Sequence, residues 1–206
     1  MKAFQIEFVQ KRRYFQNDLE GKKQILIALH GYGQLGQYFY RKFNSLEADF
    51  GLVVPEGPHR FYLEGSSGRV GASWMTKEWR EQDIQENNSY LKQLIEKVSL
   101  ENPQAKLYLL GFSQGGATAA RLFEQYPVLV SALILWASVF PPDIEKPDFP
   151  QDKKIHFVLG DKDPYFDLES QTKVLNQYTE LGFEIHTFDG LHDINQITLR
   201  SILNEV

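Results

Sequence analysis

Ser113 stands between glycines in Gly111-Phe112-Ser113-Gln114-Gly115, directly after the apolar run KLYLL at 106–110. This is the G-x-S-x-G pattern of a nucleophile elbow, in which a serine is held on a strained turn between a strand and a helix. The glycines are required because neighbouring backbone must approach that turn closely. A serine hydroxyl is a weak nucleophile until a base takes its proton, and the chain offers five histidines. His30 precedes a glycine turn and is assigned to ordering it. His59 lies in a long loop, while His156 and His186 fall inside predicted strands as packed or solvent-facing residues. His192, in the glycine loop Asp189-Gly190-Leu191-His192-Asp193, is the base candidate. A carboxylate must then hold the imidazole tautomer and stabilise its charge. Asp163, three residues past Gly160 and immediately before Pro164, is chosen, with Asp161 as its nearest competitor and Asp167 and Asp193 behind. Two backbone N–H groups are expected to receive the developing oxyanion, Gln114 directly after the serine and Tyr32 in the turn after the run ILIAL at 25–29.

Strands are needed to bring these four regions together. The run ILIAL is continuously apolar, as expected of a parallel strand covered on both faces, and KLYLL, ALILW (132–136) and IHFVLG (155–160) read as further strands. Between them lie helical patterns: a weak one over 37–48, one from Glu81 with Ile84, Leu91, Leu94, Ile95 and Val98 on one face, one after Ser113, and one over 168–181 ended by Gly182. A last strand is predicted over 183–188 and a last helix from Asp193. Phe4, Ile6 and Phe8 alternate with polar residues and predict a half-exposed edge strand, with Tyr14 and Phe15 as hairpin partner. Residues 56–75, rich in glycine and aromatics without a period, read as a long functional loop. Alternating strands and helices specify an α/β domain with a mainly parallel sheet, and no repeat or linker divides residues 1–206. In such sheets, sites form beyond the carboxyl ends of strands, where Tyr32, Ser113, Asp163 and His192 all fall.

Composition narrows the function further. The net charge of −5 argues against nucleic-acid binding, and Lys11-Arg12-Arg13 reads as a solvated turn. The chain has no cysteine, so disulfides, thiolate metal sites and a cysteine nucleophile are excluded. No run is long enough to span a bilayer and the N-terminal residues lack the apolar stretch of a secretory leader, so a cytoplasmic protein without stable membrane insertion is expected. No metal-ligand spacing is read, and His30-Gly31-Tyr32-Gly33 lacks the lysine of a phosphate-binding loop. Nothing in the pattern specifies an oligomeric state.

The order Ser113, Asp163, His192 along the chain is that of α/β-hydrolases. With LHGYG at 29–33, VPEGP at 54–58, SWM at 73–75, GFSQGG at 111–116, GDKDP at 160–164 and GLH at 190–192, the sequence resembles the phospholipase/carboxylesterase family of serine esterases, which includes acyl-protein thioesterases. The resemblance implies an α/β-hydrolase fold without a large lid domain, no cofactor, and hydrolysis of small-molecule carboxylic esters or thioesters. It implies Ser113 as nucleophile, Asp163 as orienting acid, His192 as base, and the amides of Tyr32 and Gln114 as oxyanion donors. The chain departs from the family pattern at Tyr165-Phe166-Asp167, where Val-Pro is frequent, and in the loop carrying Phe61, Tyr62 and Arg69. Phe61, Tyr62 and Trp74 are read as lining an acyl or alcohol pocket, with plain loop anchoring as the competing reading. Alternatives to an esterase are a small peptidase or acyltransferase on the same fold, a non-catalytic ligand-binding relative, or an interaction protein using the 56–75 loop.

Overall fold

The computed structural model describes residues 1–2, 4–145 and 147–205. Its elements run β1 (Tyr14–Gln16), β2 (Gln24–Leu29), α1 (Gly36–Tyr40), a 3-10 turn (Arg41–Leu46), β3 (Gly51–Pro55), β4 (His59–Tyr62), β5 (Val70–Ser73), α2 (Arg80–Glu101), β6 (Lys106–Phe112), α3 (Gln114–Gln125), β7 (Ala132–Trp136), β8 (Lys154–Gly160), α4 (Leu168–Glu180), β9 (Glu184–Phe188) and α5 (Gln196–Glu205). Seven strands form one sheet in the order β1-β3-β2-β6-β7-β8-β9. All neighbours are parallel except β1, which runs antiparallel to β3.

The centre of the sheet is built from apolar runs, and the polar residues of β1 and β9 fall at its two edges. Every residue of Ile25–Leu29, β3 and β7 is buried, so these strands are covered on both faces. Each fully buried Leu, Ile or Val side chain contributes about 1.5–3 kcal/mol by leaving water. On one face of β8, Phe157 stacks on Tyr178 of α4 with ring centroids 3.7 Å apart. Helix α2 packs on α3, and α5 packs on the 3-10 turn. This is the architecture of an α/β-hydrolase, and no large lid is inserted among the described residues.

Three expectations change. The edge strand predicted over Phe4–Phe8 does not form: Phe4, Ile6 and Phe8 are exposed, and Tyr14–Gln16 alone takes the free edge of β3. Alternation makes a strand only where one face packs against a core, and Phe4, Ile6 and Phe8 all face solvent although the outer side of β1 is open among the described residues. The 56–75 segment is not a structureless loop, since β4 and β5 pair antiparallel from His59↔Ser73 to Tyr62↔Val70. Helix α2 begins with buried polar residues, Asp83, Asn87 and Asn88, and turns apolar only from Leu91. Asn87 Nδ2 donates to the Trp74 carbonyl at 2.6 Å and Asn88 Nδ2 to Gln125 Oε1 at 2.8 Å, so the first half of α2 is held by hydrogen bonds.

Candidate active site

Strand β6 passes into α3 through Ser113, whose backbone sits at φ 52°, ψ −119°, a conformation that an L-residue other than glycine rarely adopts. Its surroundings over-determine the turn, as such strain requires. The Ser113 N–H donates to the Trp136 carbonyl at 2.8 Å, and its own carbonyl accepts from Gly116 N–H at 2.9 Å. A methyl group on Gly115 would lie 2.4 Å from the Leu29 carbonyl oxygen, and one on Gly116 would lie 2.3 Å from Ser138 Cβ. The glycines therefore let α3 start directly against the end of β2 and the loop after β7. Among the described residues the Ser113 hydroxyl has no hydrogen-bond partner.

The base and acid candidates come from two loops locked together at the end of β8. A side chain at Gly160 would meet the carbonyls of Gly190 and Leu191 at 2.5 and 2.6 Å, so the loops touch main chain to main chain. Asp161 N–H donates to Phe188 O at 3.0 Å and Lys162 N–H to Gly190 O at 2.9 Å. Gly190 N–H returns a bond to Asp161 Oδ1 at 3.0 Å. This juxtaposition places His192 Nδ1 at 2.6 Å from Asp163 Oδ2, with the Asp163 side chain sealed from solvent. The other oxygen, Oδ1, accepts from Tyr165 N–H at 2.9 Å. The imidazole lies between Phe112 and Tyr165, with ring centroids at 4.7 and 4.5 Å. Phe112 directly precedes Ser113, so the His192 ring is seated on the elbow itself. The rival carboxylates are engaged elsewhere. Asp161 braces the Gly190 loop, and Asp167 caps α4 by accepting from Ser170 N–H, bonds that hold its carboxyl below the usual range. Asp193 pairs with Lys42.

The turn after β2 is fixed by His30, which is fully buried. Its Nε2 accepts from Gly57 N–H at 2.9 Å, so the proton is on Nδ1, 2.8 Å from the Gly31 carbonyl oxygen. Burial lowers its pKa to about 4, keeping the ring neutral. Gly31 N–H donates to Gln34 Oε1 at 3.0 Å, and Gly33 N–H reaches Ala72 O in β5 at 2.8 Å. The N–H groups of Tyr32 and Gln114 have no hydrogen-bond partner among the described residues. Gly31, beside Tyr32, lies so near the elbow that a methyl there would be 3.2 Å from Ser113 Cβ. Two unpaired amides thus flank the serine.

Two contributions were not visible in the sequence. The Gln114 side chain clamps the segment after β5: Oε1 accepts from Trp74 N–H at 3.0 Å, and Nε2 donates to the Met75 carbonyl and to Ser73 Oγ, each at 3.0 Å. Tyr165, noticed only as a departure from the family pattern, supplies both an N–H to Asp163 and a ring against His192.

The proposed substrate contacts divide differently from expectation. Trp74 is fully buried, donates from Nε1 to the His30 carbonyl at 2.8 Å and packs its ring on His30 at 5.1 Å, so it anchors the turn from behind. Phe61 and Tyr62 lie on β4, and the Phe61 ring contacts that of Tyr32 at 5.1 Å. The open cleft beside this turn, about 550 Å³, is lined instead by Gly33, Tyr38, Phe39, Leu63, Arg69 and Val70 among others. The signal for it was spread over two loops whose meeting depends on the Gly33–Ala72 bond.

The model of the phospholipase/carboxylesterase family matches residues 15–206. Among solved structures the chain is similar to esterase PE8, at 20% identity over 95% of this chain and 98% of that one, with a TM-score of 0.69. It is similar to the Bacillus cereus carboxylesterase, at 13% identity over 94% and 92%, with a TM-score of 0.67. Zea mays acyl-protein thioesterase 2 matches at 18% identity over 94% and 96%, with a TM-score of 0.66. At these identities the structures speak for the fold alone. No curated protein sequence matches significantly. With the family model matching residues 15–206, which include β2 through β9, this chain belongs to the phospholipase/carboxylesterase family.

Proposed function

We propose that the protein is a serine hydrolase that cleaves carboxylic esters or thioesters through an acyl-enzyme on Ser113. The observation that carries this reading is the 2.6 Å contact between His192 and the buried Asp163, seated through Phe112 on a serine at φ 52°. Asp163 accepts the Nδ1 proton of His192, which leaves Nε2 with a lone pair to act as base. Ser113 Oγ attacks the acyl carbon as Nε2 takes its proton, and the carbonyl oxygen becomes an oxyanion. The free N–H groups of Tyr32 and Gln114 receive that charge. The tetrahedral centre then collapses, the bond to the alcohol oxygen or thiol sulfur breaks, and the imidazolium returns its proton to the leaving group. Water repeats the cycle on the acyl-enzyme. Every proton is handled by this chain's own groups, so no cofactor or metal enters the scheme.

The cleft beside Gly33 supplies room for one arm of a small ester. Its walls of Tyr38, Phe39, Leu63 and Val70 favour an apolar chain. Family membership and the similarity to carboxylesterases and a thioesterase support the same substrate class.

Ser113→Ala is expected to lower turnover of p-nitrophenyl esters by about 10⁴–10⁶, and a fluorophosphonate probe is expected to label Ser113 in the wild type. Unchanged hydrolysis in the variant would end the reading, and a folded protein inert to the probe would favour a binding relative. A panel of esters and thioesters graded by chain length, with short peptides and acyl acceptors included, separates hydrolysis of esters from the peptidase and acyltransferase alternatives.

A further inference from the structure

Strands β8 and β9 carry a second constellation that the reaction does not use. His156 of β8 pairs with Glu184 of β9, and Val158 pairs with His186. The strand period of two therefore puts His156, Glu184 and His186 on one face of the sheet edge. Their ligand atoms converge within 4.8 Å of one another. His156 Nδ1 is 3.1 Å from His186 Nε2 and 3.5 Å from Glu184 Oε2, and His186 Nε2 is 3.8 Å from Glu184 Oε1.

Hydrogen bonding among the three groups is incomplete. Between two neutral imidazoles facing each other there is one proton to share, and both carboxylate contacts exceed the ~3.2 Å of a good N–H···O bond. Three ligand atoms thus converge with one N–H proton among them, which a metal would displace to the far ring nitrogen. A divalent metal with bonds of about 2.0–2.2 Å to nitrogen and oxygen requires its tetrahedral ligands to stand about 3.3–3.6 Å apart. The three measured separations bracket that range. Two imidazoles and one carboxylate suit zinc-like transition metals and not magnesium or calcium, which take oxygen ligands. The cup is floored by His156, at 1% exposure, and opens to solvent through Glu184, at 52%. Glu205 of α5 adds negative charge near His156. With Nδ1 coordinating, the ring proton sits on Nε2, which is buried without a partner among the described residues; the lack of an outer acceptor there moderates affinity.

We propose that His156, Glu184 and His186 form a binding site for a zinc-class divalent transition metal, with three protein ligands and the fourth position open to water. The ion clips the edge strand β9 to β8, and β9 leads straight into the loop bearing His192. Its role is structural, and the site stands independently of the reaction assigned to Ser113.

The test uses the full chain, stripped with a chelator and titrated with zinc chloride by calorimetry and thermal unfolding. One zinc per chain is expected, with Tm rising about 5–10 °C at a hundredfold excess over Kd. Magnesium chloride at the same concentration should leave Tm unchanged. Glu184→Gln combined with His186→Asn, both on the solvent side of the cup, should weaken zinc binding at least tenfold while circular dichroism shows the fold retained. Absence of saturable one-to-one binding would overturn the proposal. So would equal affinity in the double variant, which would place the ion elsewhere, or an equal Tm rise with magnesium.

Discussion

The sharpest test of the elbow is a single methyl group on Gly115. In Gly115→Ala the new carbon would lie 2.4 Å from Leu29 O and 2.6 Å from His30 O, against about 3.4 Å for ordinary contact. Both obstacles are main-chain carbonyls at the end of β2 and the start of the Tyr32 turn, and neither can swing away as a side chain would. The start of α3 must therefore shift by on the order of 1 Å. Overpacking of this kind destabilises by about 1–3 kcal/mol. The same shift separates the Gln114 amide from the Tyr32 amide, and a misplacement of ~1 Å in a reacting constellation costs about 10²-fold in rate. Since an oxyanion exists only beyond the ground state, the loss should fall on kcat with little change in KM. Gly182→Ala is the companion variant. Gly182 has φ +83° with nothing within 4 Å, so its methyl adds backbone strain of about 1–2 kcal/mol far from the site. Urea unfolding and p-nitrophenyl ester kinetics on both proteins separate the effects: both lose stability, and Gly115→Ala alone loses turnover. A folded Gly115→Ala protein with kcat within threefold of wild type would refute the claim that this contact sets the amide geometry.

Two further perturbations address the acid and the buried histidine. Asp163→Asn should reduce kcat by about 10³–10⁴ by reversing the polarity that holds His192 in its tautomer, whereas Asp161→Asn should change kcat less than fivefold and lower stability through the loosened Gly190 loop; the reverse pattern would reassign the acid. His30 has its pKa lowered by burial to about 4, so in the interval below its unfolded value of 6.5 the unfolded chain binds a proton that the native chain does not. Its contribution is intact above pH 6.5 and is lost as pH falls toward 4, about 3 kcal/mol in total for a shift of some 2.5 pH units. The wild-type stability advantage over His30→Gln in urea unfolding should narrow across that window, and a constant difference from pH 7.5 to 4.5 would contradict it.

The sheet and the strained turn at Ser113 were legible because both are encoded locally. Continuous apolar runs specify covered parallel strands, and Gly-x-Ser-x-Gly with its flanking strand and helix specifies an elbow without knowledge of its neighbours. What failed depended on partners distant in sequence. Phe4–Phe8 alternates correctly for a strand, yet its apolar side chains stay exposed and the outer side of β1 goes unused among the described residues. The β4–β5 hairpin hides in 56–75 because its strands are short and its turn is long. Trp74 reads equally well as a pocket wall or an anchor, and only the carbonyl of His30, 44 positions away, decides it. His156 and His186 look like ordinary strand residues until the parallel register of β8 and β9 sets them side by side.

The fixed geometry of the two free amides has a physical source in a closed circuit of bonds. Gln114, whose N–H faces no partner, uses its side chain to hold Trp74 N–H and the Met75 carbonyl. Trp74 passes the constraint to the His30 carbonyl through its indole, and His30 is pinned from its far side by Gly57 N–H. The turn then continues through Gly31 to Gln34 and through Gly33 to Ala72, one residue before Ser73, which bonds Gln114 again. The circuit begins and ends at the residue after Ser113 and encloses Tyr32. Neither amide can move alone without straining this circuit, and breaking one of its buried links, Trp74 Nε1 to His30 O or Gly57 N–H to His30, costs about 1–3 kcal/mol. That penalty is of the same order as the strain of a serine at positive φ. The circuit is therefore strong enough to keep the elbow in its unfavourable conformation, and on the proposed mechanism the same bonds that stabilise the strained turn preorganise the amides for the oxyanion.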